Sequence, residues 1–139
     1  MLSAIVYVST ATTAMSSGAL EALLLDARAH NQANDVTGVL LYRDGTFMQY
    51  FEGPEPAMHE TYRRILGSRR HTRVAELLND DIDERQFPGW EMALAEPTAS
   101  EMLALSTARW VLHDSGAAAG GRRSLGFALL RDFWRRQRR

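Results

Sequence analysis

The sequence predicts an α+β domain in which one β-sheet carries two helices on the same face, in the order β-α-β-β-α-β-β. Two observations lead there. A hairpin signature over 37–53 joins two apolar runs through Arg43-Asp44-Gly45, and it is flanked on both sides by segments whose apolar residues recur every three or four positions. With 139 residues and 45% hydrophobic content the chain suits one core plus a short appendage, and two domains would be cramped.

Residues 2–9 read as the first strand, with Ile5, Tyr7 and Ser9 on one face. Ser16 or Ser17 then caps a helix over 20–31 whose Leu20, Leu23, Leu24 and Ala27 form a stripe. Asn34-Asp35 turns the chain into a second strand, 39–42, and 46–51 returns antiparallel to it. Alternation puts Phe47, Gln49 and Phe51 on one face of that third strand and Met48 and Tyr50 on the other. After Pro54-Glu55-Pro56 a second helix, 57–66, aligns Met58, Tyr62, Ile65 and Leu66 and stops at Gly67. Residues 74–78 are a fourth strand, 80–86 an acidic loop or single turn, and 90–94 a short fifth strand with Trp90, Met92 and Leu94 on one face. This order is that of a ferredoxin-like sheet. Beyond Pro97 a helix is expected over 100–112, a Gly/Ala-rich link over 115–121, and an amphipathic helix over 124–138 with Leu125, Leu129, Leu130, Phe133 and Trp134 on one side. The chain divides accordingly into a domain, 1–95, and a helical extension, 96–139, that serves as a cap or a dimerisation element.

Composition narrows the function. There is no cysteine, so disulfides, thiolate metal sites and a cysteinyl photoadduct are excluded. The four His are scattered rather than spaced as ligands, and no metal is expected. No apolar run of about 18 residues and no basic-then-apolar leader is present, which places the protein in the cytoplasm without membrane contact. All 16 basic residues are Arg; residues 1–121 carry nine against 16 acids, a net of −7, whereas 122–139 carry seven against Asp132 alone, a net of +6. The apolar stripe of the last helix needs a partner. The bare face of the sheet is the first choice and the same helix of a second protomer is close behind, so a homo-oligomer is expected; lipid or nucleic acid is disfavoured, since the body is acidic and no base-reading motif appears.

Gln49 is the residue that packing explains least. An amide between two Phe on a covered face costs about 1–3 kcal/mol unless donors and acceptors meet it. Its company supplies the reason. The first-strand Tyr7, His30-Asn31 at the end of the first helix, Thr-Gly-Val-Leu-Leu-Tyr at 37–42, Phe-x-Gln-x-x-Glu-Gly at 47–53, Arg-Arg-His at 69–71 and Phe-Pro-Gly-Trp-x-Met at 87–92 occur in order. Together they resemble the BLUF family, blue-light sensors that hold a flavin, over residues 1–95.

The resemblance implies a flavin lying between the two helices, with Leu23, Leu24, Ala27, Ile65 and Leu66 available to sandwich its faces. Asn31 would hydrogen-bond its carbonyl and imide edge, and Gln49 would bridge Tyr7 to ring N5 and the neighbouring carbonyl. Arg70, with His30 and His71, would contact the ring edge or the ribityl and phosphate portion. No glycine loop for phosphate is present, so FAD, FMN or riboflavin all remain candidates. The implied function is photochemical: Tyr7 donates an electron and proton to the excited flavin, the Gln49 amide rotates or tautomerises, absorption shifts to the red, and Trp90 or Met92 relays the change to a downstream signalling protein. No room remains for an attached enzyme domain, so a stand-alone, non-enzymatic sensor is expected. The alternatives are a ferredoxin-like enzyme, acylphosphatase-like or flavin-dependent, and a flavin-free interaction module.

Overall fold

The computed structural model describes residues 1–13, 15–88, 91–110 and 125–137. The chain forms β1 (Leu2–Ala11), α1 (Ser17–Ala33), β2 (Thr37–Arg43), β3 (Thr46–Pro54), α2 (Glu55–Leu66), β4 (His71–Ile82), β5 (Glu91–Ala95), α3 (Ala99–Thr107) and α4 (Leu125–Gln137). The five strands lie in the order β4-β1-β3-β2-β5, antiparallel except for the parallel pair β2 and β5. The α+β, ferredoxin-like arrangement read from the sequence is therefore the observed one.

The hairpin fixes the register of everything else. Asp44 and Gly45 both take positive φ, 45° and 81°, the pattern of a two-residue turn whose twist matches that of the flanking strands. Arg43 consequently pairs with Thr46, and Gln49 falls opposite Leu40 on one side and Tyr7 on the other. Gly38 admits no side chain, because a Cβ there would lie 2.0 Å from the Tyr50 carbonyl oxygen. Alternation then sorts the core. Ile5, Tyr7, Leu40, Phe47 and Phe51 face α1 and α2, while Val6, Val39, Leu41, Met48 and Tyr50 face the C-terminal helices.

Helix boundaries follow local chemistry. Ser16 is the N-cap of α1, its hydroxyl accepting from the Ala19 N–H at 3.1 Å, so the helix starts three residues before the expected stripe. Thr98 and Glu101 form a reciprocal capping box that starts α3 at Ala99. That helix ends at Thr107 rather than 112, and Trp110 folds back to donate its indole N–H to the Leu105 carbonyl at 3.0 Å. The fourth strand is longer than 74–78, because β1 offers a ten-residue edge and the polar stretch Asn79-Asp80-Asp81 joins its ladder instead of looping out. Two register shifts and a positive φ of 55° at Arg73 interrupt that pairing.

The last helix packs on the open face of the sheet. Its buried residues are Phe127, Leu130 and Phe133, with Leu129 and Trp134 half-buried, so the stripe is rotated toward Phe127 from the expected one. Gly126 makes the close approach possible, since a Cβ there would meet the Trp110 ring at 2.4 Å. The expected link over 115–121 and the side chain of Leu125 lie outside the described residues. Among the described residues no helix is long and apolar enough to cross a membrane.

Candidate functional site

α1 and α2 stand apart over the centre of the sheet and leave a cleft with about 690 Å³ of space, part of it open to solvent. Tyr7, Leu40, Phe47 and Gln49 make its floor; Leu23, Asp26, Ala27, His30 and Asn31 of α1 face Thr61, Arg64 and Ile65 of α2, and Ser68, Arg70 and His71 close one end.

A chain of hydrogen bonds runs along the floor. The buried Tyr7 hydroxyl donates to Gln49 Oε1 at 2.5 Å, and Gln49 Nε2 donates to Met92 Sδ at 3.2 Å. The chemistry of the partners fixes the orientation of the amide. A thioether sulfur only accepts, and weakly, so the NH₂ end belongs toward Met92 and the oxygen toward the phenol. Burial pushes the Tyr7 phenol well above its ordinary pKa, reinforced by the nearby Tyr62, so the donor keeps its proton at neutral pH.

Met92 reaches Gln49 through a distorted strand. β2 pairs Gly38 with Glu91 and Val39 with Ala93, which leaves Met92 in a bulge with φ of 58°. The freed Met92 carbonyl accepts from Arg28 Nε on α1 at 3.2 Å. A left-handed, non-glycine residue costs about 1–3 kcal/mol, so Met92 is held there by its neighbours. Trp90, the other expected relay residue, lies outside the described residues.

Asn31 is 3% exposed and lines the cleft, and no described residue hydrogen-bonds its side-chain amide. Its backbone carbonyl is occupied, accepting from Val36 N at 2.8 Å, which ties the end of α1 to the start of β2. Both histidines line the cleft with their nitrogens engaged. Arg64 donates to His30 Nδ1 at 3.1 Å, leaving Nε2 to donate to Thr61 Oγ1 at 3.1 Å. His71 Nε2 donates to the Ile65 carbonyl and Nδ1 accepts from Ser9 Oγ, each at 2.7 Å. Their rings, not their nitrogens, are presented to a ligand. Arg70 is exposed and has no acidic partner among the described residues.

Of the residues expected to form an apolar wall, Leu23, Ala27 and Ile65 line the cleft. Leu24 is instead buried in the core, 5% exposed, because it sits 100° around the helix from Leu23. Leu66 is 53% exposed and takes no part. Sequence reasoning missed Asp26, Leu40, Phe47, Thr61, Arg64 and Ser68 as lining residues. Thr61 carried a signal, a polar residue on the stripe between Met58 and Ile65. The pairing of Arg64 with Asp26 at 2.8 Å joins two helices and had none.

A phenol bonded to a single amide, under two helices that offer apolar side chains and a free buried amide, defines a receptor for a flat ligand with a polar edge. The family described as sensors of blue light using FAD matches residues 2–93, and the chain belongs to this BLUF family. It is 40% identical over 103 residues, 74% of its length, to photoactivated adenylate cyclase subunit beta of Euglena longa, of which it spans 12%. Among solved structures it resembles the dark state of the BLUF protein BlrB, with a TM-score of 0.66 and 30% identity over 76% of this chain and 78% of that one. It also resembles Klebsiella pneumoniae BlrP1 with FMN and cyclic diGMP, with a TM-score of 0.64 and 31% identity over 69% of this chain and 26% of that one.

Proposed function

We propose that this chain holds a flavin non-covalently in the α1–α2 cleft and acts as a blue-light switch whose moving part is the Gln49 amide. The observation that carries the reading is the hydrogen-bond chain Tyr7–Gln49–Met92, which links a redox-capable phenol to a strained strand through one rotatable group. The donor set fits the ligand: the Asn31 amide offers one donor and one acceptor to a carbonyl and imide edge, Leu23, Ala27 and Ile65 cover the faces, and Arg70 stands where a ribityl or phosphate portion would emerge. A bound flavin supplies a strong oxidant on absorbing blue light. FAD is the expected form. The FMN held by BlrP1 supports a site that grips the ring and tolerates different tails.

Tyr7 supplies the electron and the proton, the proton leaving Oη toward Gln49 Oε1, and takes both back in the dark. Rotation or tautomerisation of the amide exchanges donor for acceptor at both ends. Met92 then loses the N–H that held its sulfur. Each bond is worth about 0.5–1.5 kcal/mol, the same order as the about 1–3 kcal/mol stored at Met92, so loss of that one contact is enough to shift a balanced strand. The change passes through β5 into residues 96–139, which act as the output cap, and on to a protein partner or a second protomer. The domain is a receptor rather than a catalyst, and its effect is exerted by binding.

The test is an absorption spectrum in the dark, under blue light and through recovery. A reversible red shift without bleaching is expected, and Gln49→Ala should keep the flavin while losing the shift. A bleached spectrum, or a normal shift in Gln49→Ala, overturns the assignment.

A further inference from the structure

Glu52 is, among the described residues, the only acidic side chain that is buried, at 0% exposure. It sits three residues beyond Gln49 on β3, on the opposite face of the sheet from the cleft. Four donors meet its carboxylate. Oε1 accepts from the Tyr50 hydroxyl at 2.6 Å and from Gln86 N at 2.8 Å, and Oε2 accepts from Phe87 N at 2.8 Å and from Thr37 Oγ1 at 3.5 Å. Two of these donors are backbone N–H groups of the segment leading into β5. From that segment the contacts continue to α4: the side-chain oxygen Oε1 of Gln86 accepts from Arg131, whose guanidinium lies 5.7 Å from the centre of the Phe87 ring.

The carboxylate has no need to be there for packing. An apolar side chain would fill the same space, and burying a charge costs several kcal/mol unless every lone pair is met. What a fully met polar cluster provides is a single geometry that fails as a unit, because losing one donor leaves the buried charge short. Glu52 thereby joins β3, the 85–87 segment and α4 in one clasp that is either made or broken.

We propose that Glu52 is a positioning residue for signal output: it couples displacement of β5 to release of α4. The proposal rests on the amide switch described above. When Gln49 lets go of Met92, β5 and the segment before it shift; the Gln86 and Phe87 N–H groups leave the carboxylate, the Gln86 side chain leaves Arg131, and the edge of α4 that carries Arg131 becomes available to a partner. The route is polar and runs through the face of the sheet remote from the ligand.

The experiment measures amide hydrogen exchange over 85–88 and 127–136 in the full chain, reconstituted with FAD, in the dark and under blue light. In the unaltered protein light should speed both segments, by about tenfold if each opening is eased by one hydrogen bond. Arg131→Leu should keep the red shift and the response at 85–88 while the response at 127–136 disappears. Glu52→Gln should keep the red shift, with both segments already fast in the dark and insensitive to light. A light response at 127–136 that survives in Arg131→Leu, or a light response of either segment that survives in Glu52→Gln, overturns the proposal. If Glu52→Gln does not fold, Gln86→Ala, which leaves the carboxylate in place, should reproduce Arg131→Leu, and a wild-type response at 127–136 would refute the clasp. The flavin-free protein separates this proposal from the light-sensing reading. There Glu52→Gln should speed both segments whether or not the holoprotein shifts its spectrum, and an effect confined to 85–88 means that Glu52 merely anchors a loop.

Discussion

The two faces of the sheet are built from the same strands and behave as opposites. β3 sends Phe47, Gln49 and Phe51 to one face and Met48, Tyr50 and Glu52 to the other. On the first, two helices stand apart, polar atoms are left for a ligand, and a strained bulge leans on one amide. On the second, Tyr50, Phe87, Trp110 and Phe127 form an interlocked set of rings with centroid separations of 4.8–6.4 Å, and the Glu52 carboxylate is met by four donors. In the switch proposed above, a cleft on the loose face and a seal on the dense one would let the first rearrange without unfolding the domain.

That contrast can be broken from either side. The largest effect is expected from Phe133→Ala, which empties a fully buried site on the dense face and should cost about 3–5 kcal/mol in chemical denaturation. Flavin affinity in the surviving folded protein should hardly change; an equal loss of affinity would show that the faces are not separable. Next in size is Tyr7→Phe on the loose face. In flavin-free protein it leaves Gln49 Oε1 without its donor and should cost about 1–3 kcal/mol, while in the holoprotein it should block the ordinary photocycle, read by the absence of the red shift.

Smaller still is the removal of Arg28, which leaves the Met92 carbonyl without that donor. Arg28→Ala should change the dark-recovery rate several-fold, as expected for one hydrogen bond of about 1 kcal/mol, without moving the dark spectrum. Alkali tests both faces together. Burial raises the pKa of Tyr7 on one face and of Tyr50, beside Glu52, on the other, so above pH 10 the unfolded chain releases protons that the folded chain retains. Stability should be full below pH 10 and fall as pH rises beyond it, and Tyr7→Phe should shallow that fall in a denaturation series.

The strand pattern was the legible part. A period of two and an Asp-Gly turn are local, so Gln49 and its two Phe were placed by sequence alone, and the structure puts them on one face. The other site residues were reached differently: Tyr7, Asn31, Arg70 and His71 came from resemblance, because nothing local says that position 7 pairs with position 49. What sequence did not disclose depends on distant backbone. Met92 carries no glycine to advertise its positive φ. Glu52 reads as an ordinary strand acid until amides 34 and 35 residues further on close over it. Leu24 differs from Leu23 by one step around a helix, which a stripe cannot resolve.

β4 bears on how such a domain lives beside others. It is the long outer strand of the sheet, yet it is kinked by two register shifts and by the positive φ at Arg73. A kinked, charged border is a poor template for a further strand. That flank is therefore ill suited to strand addition, and a neighbouring chain that met it would touch side chains rather than lengthen the ladder.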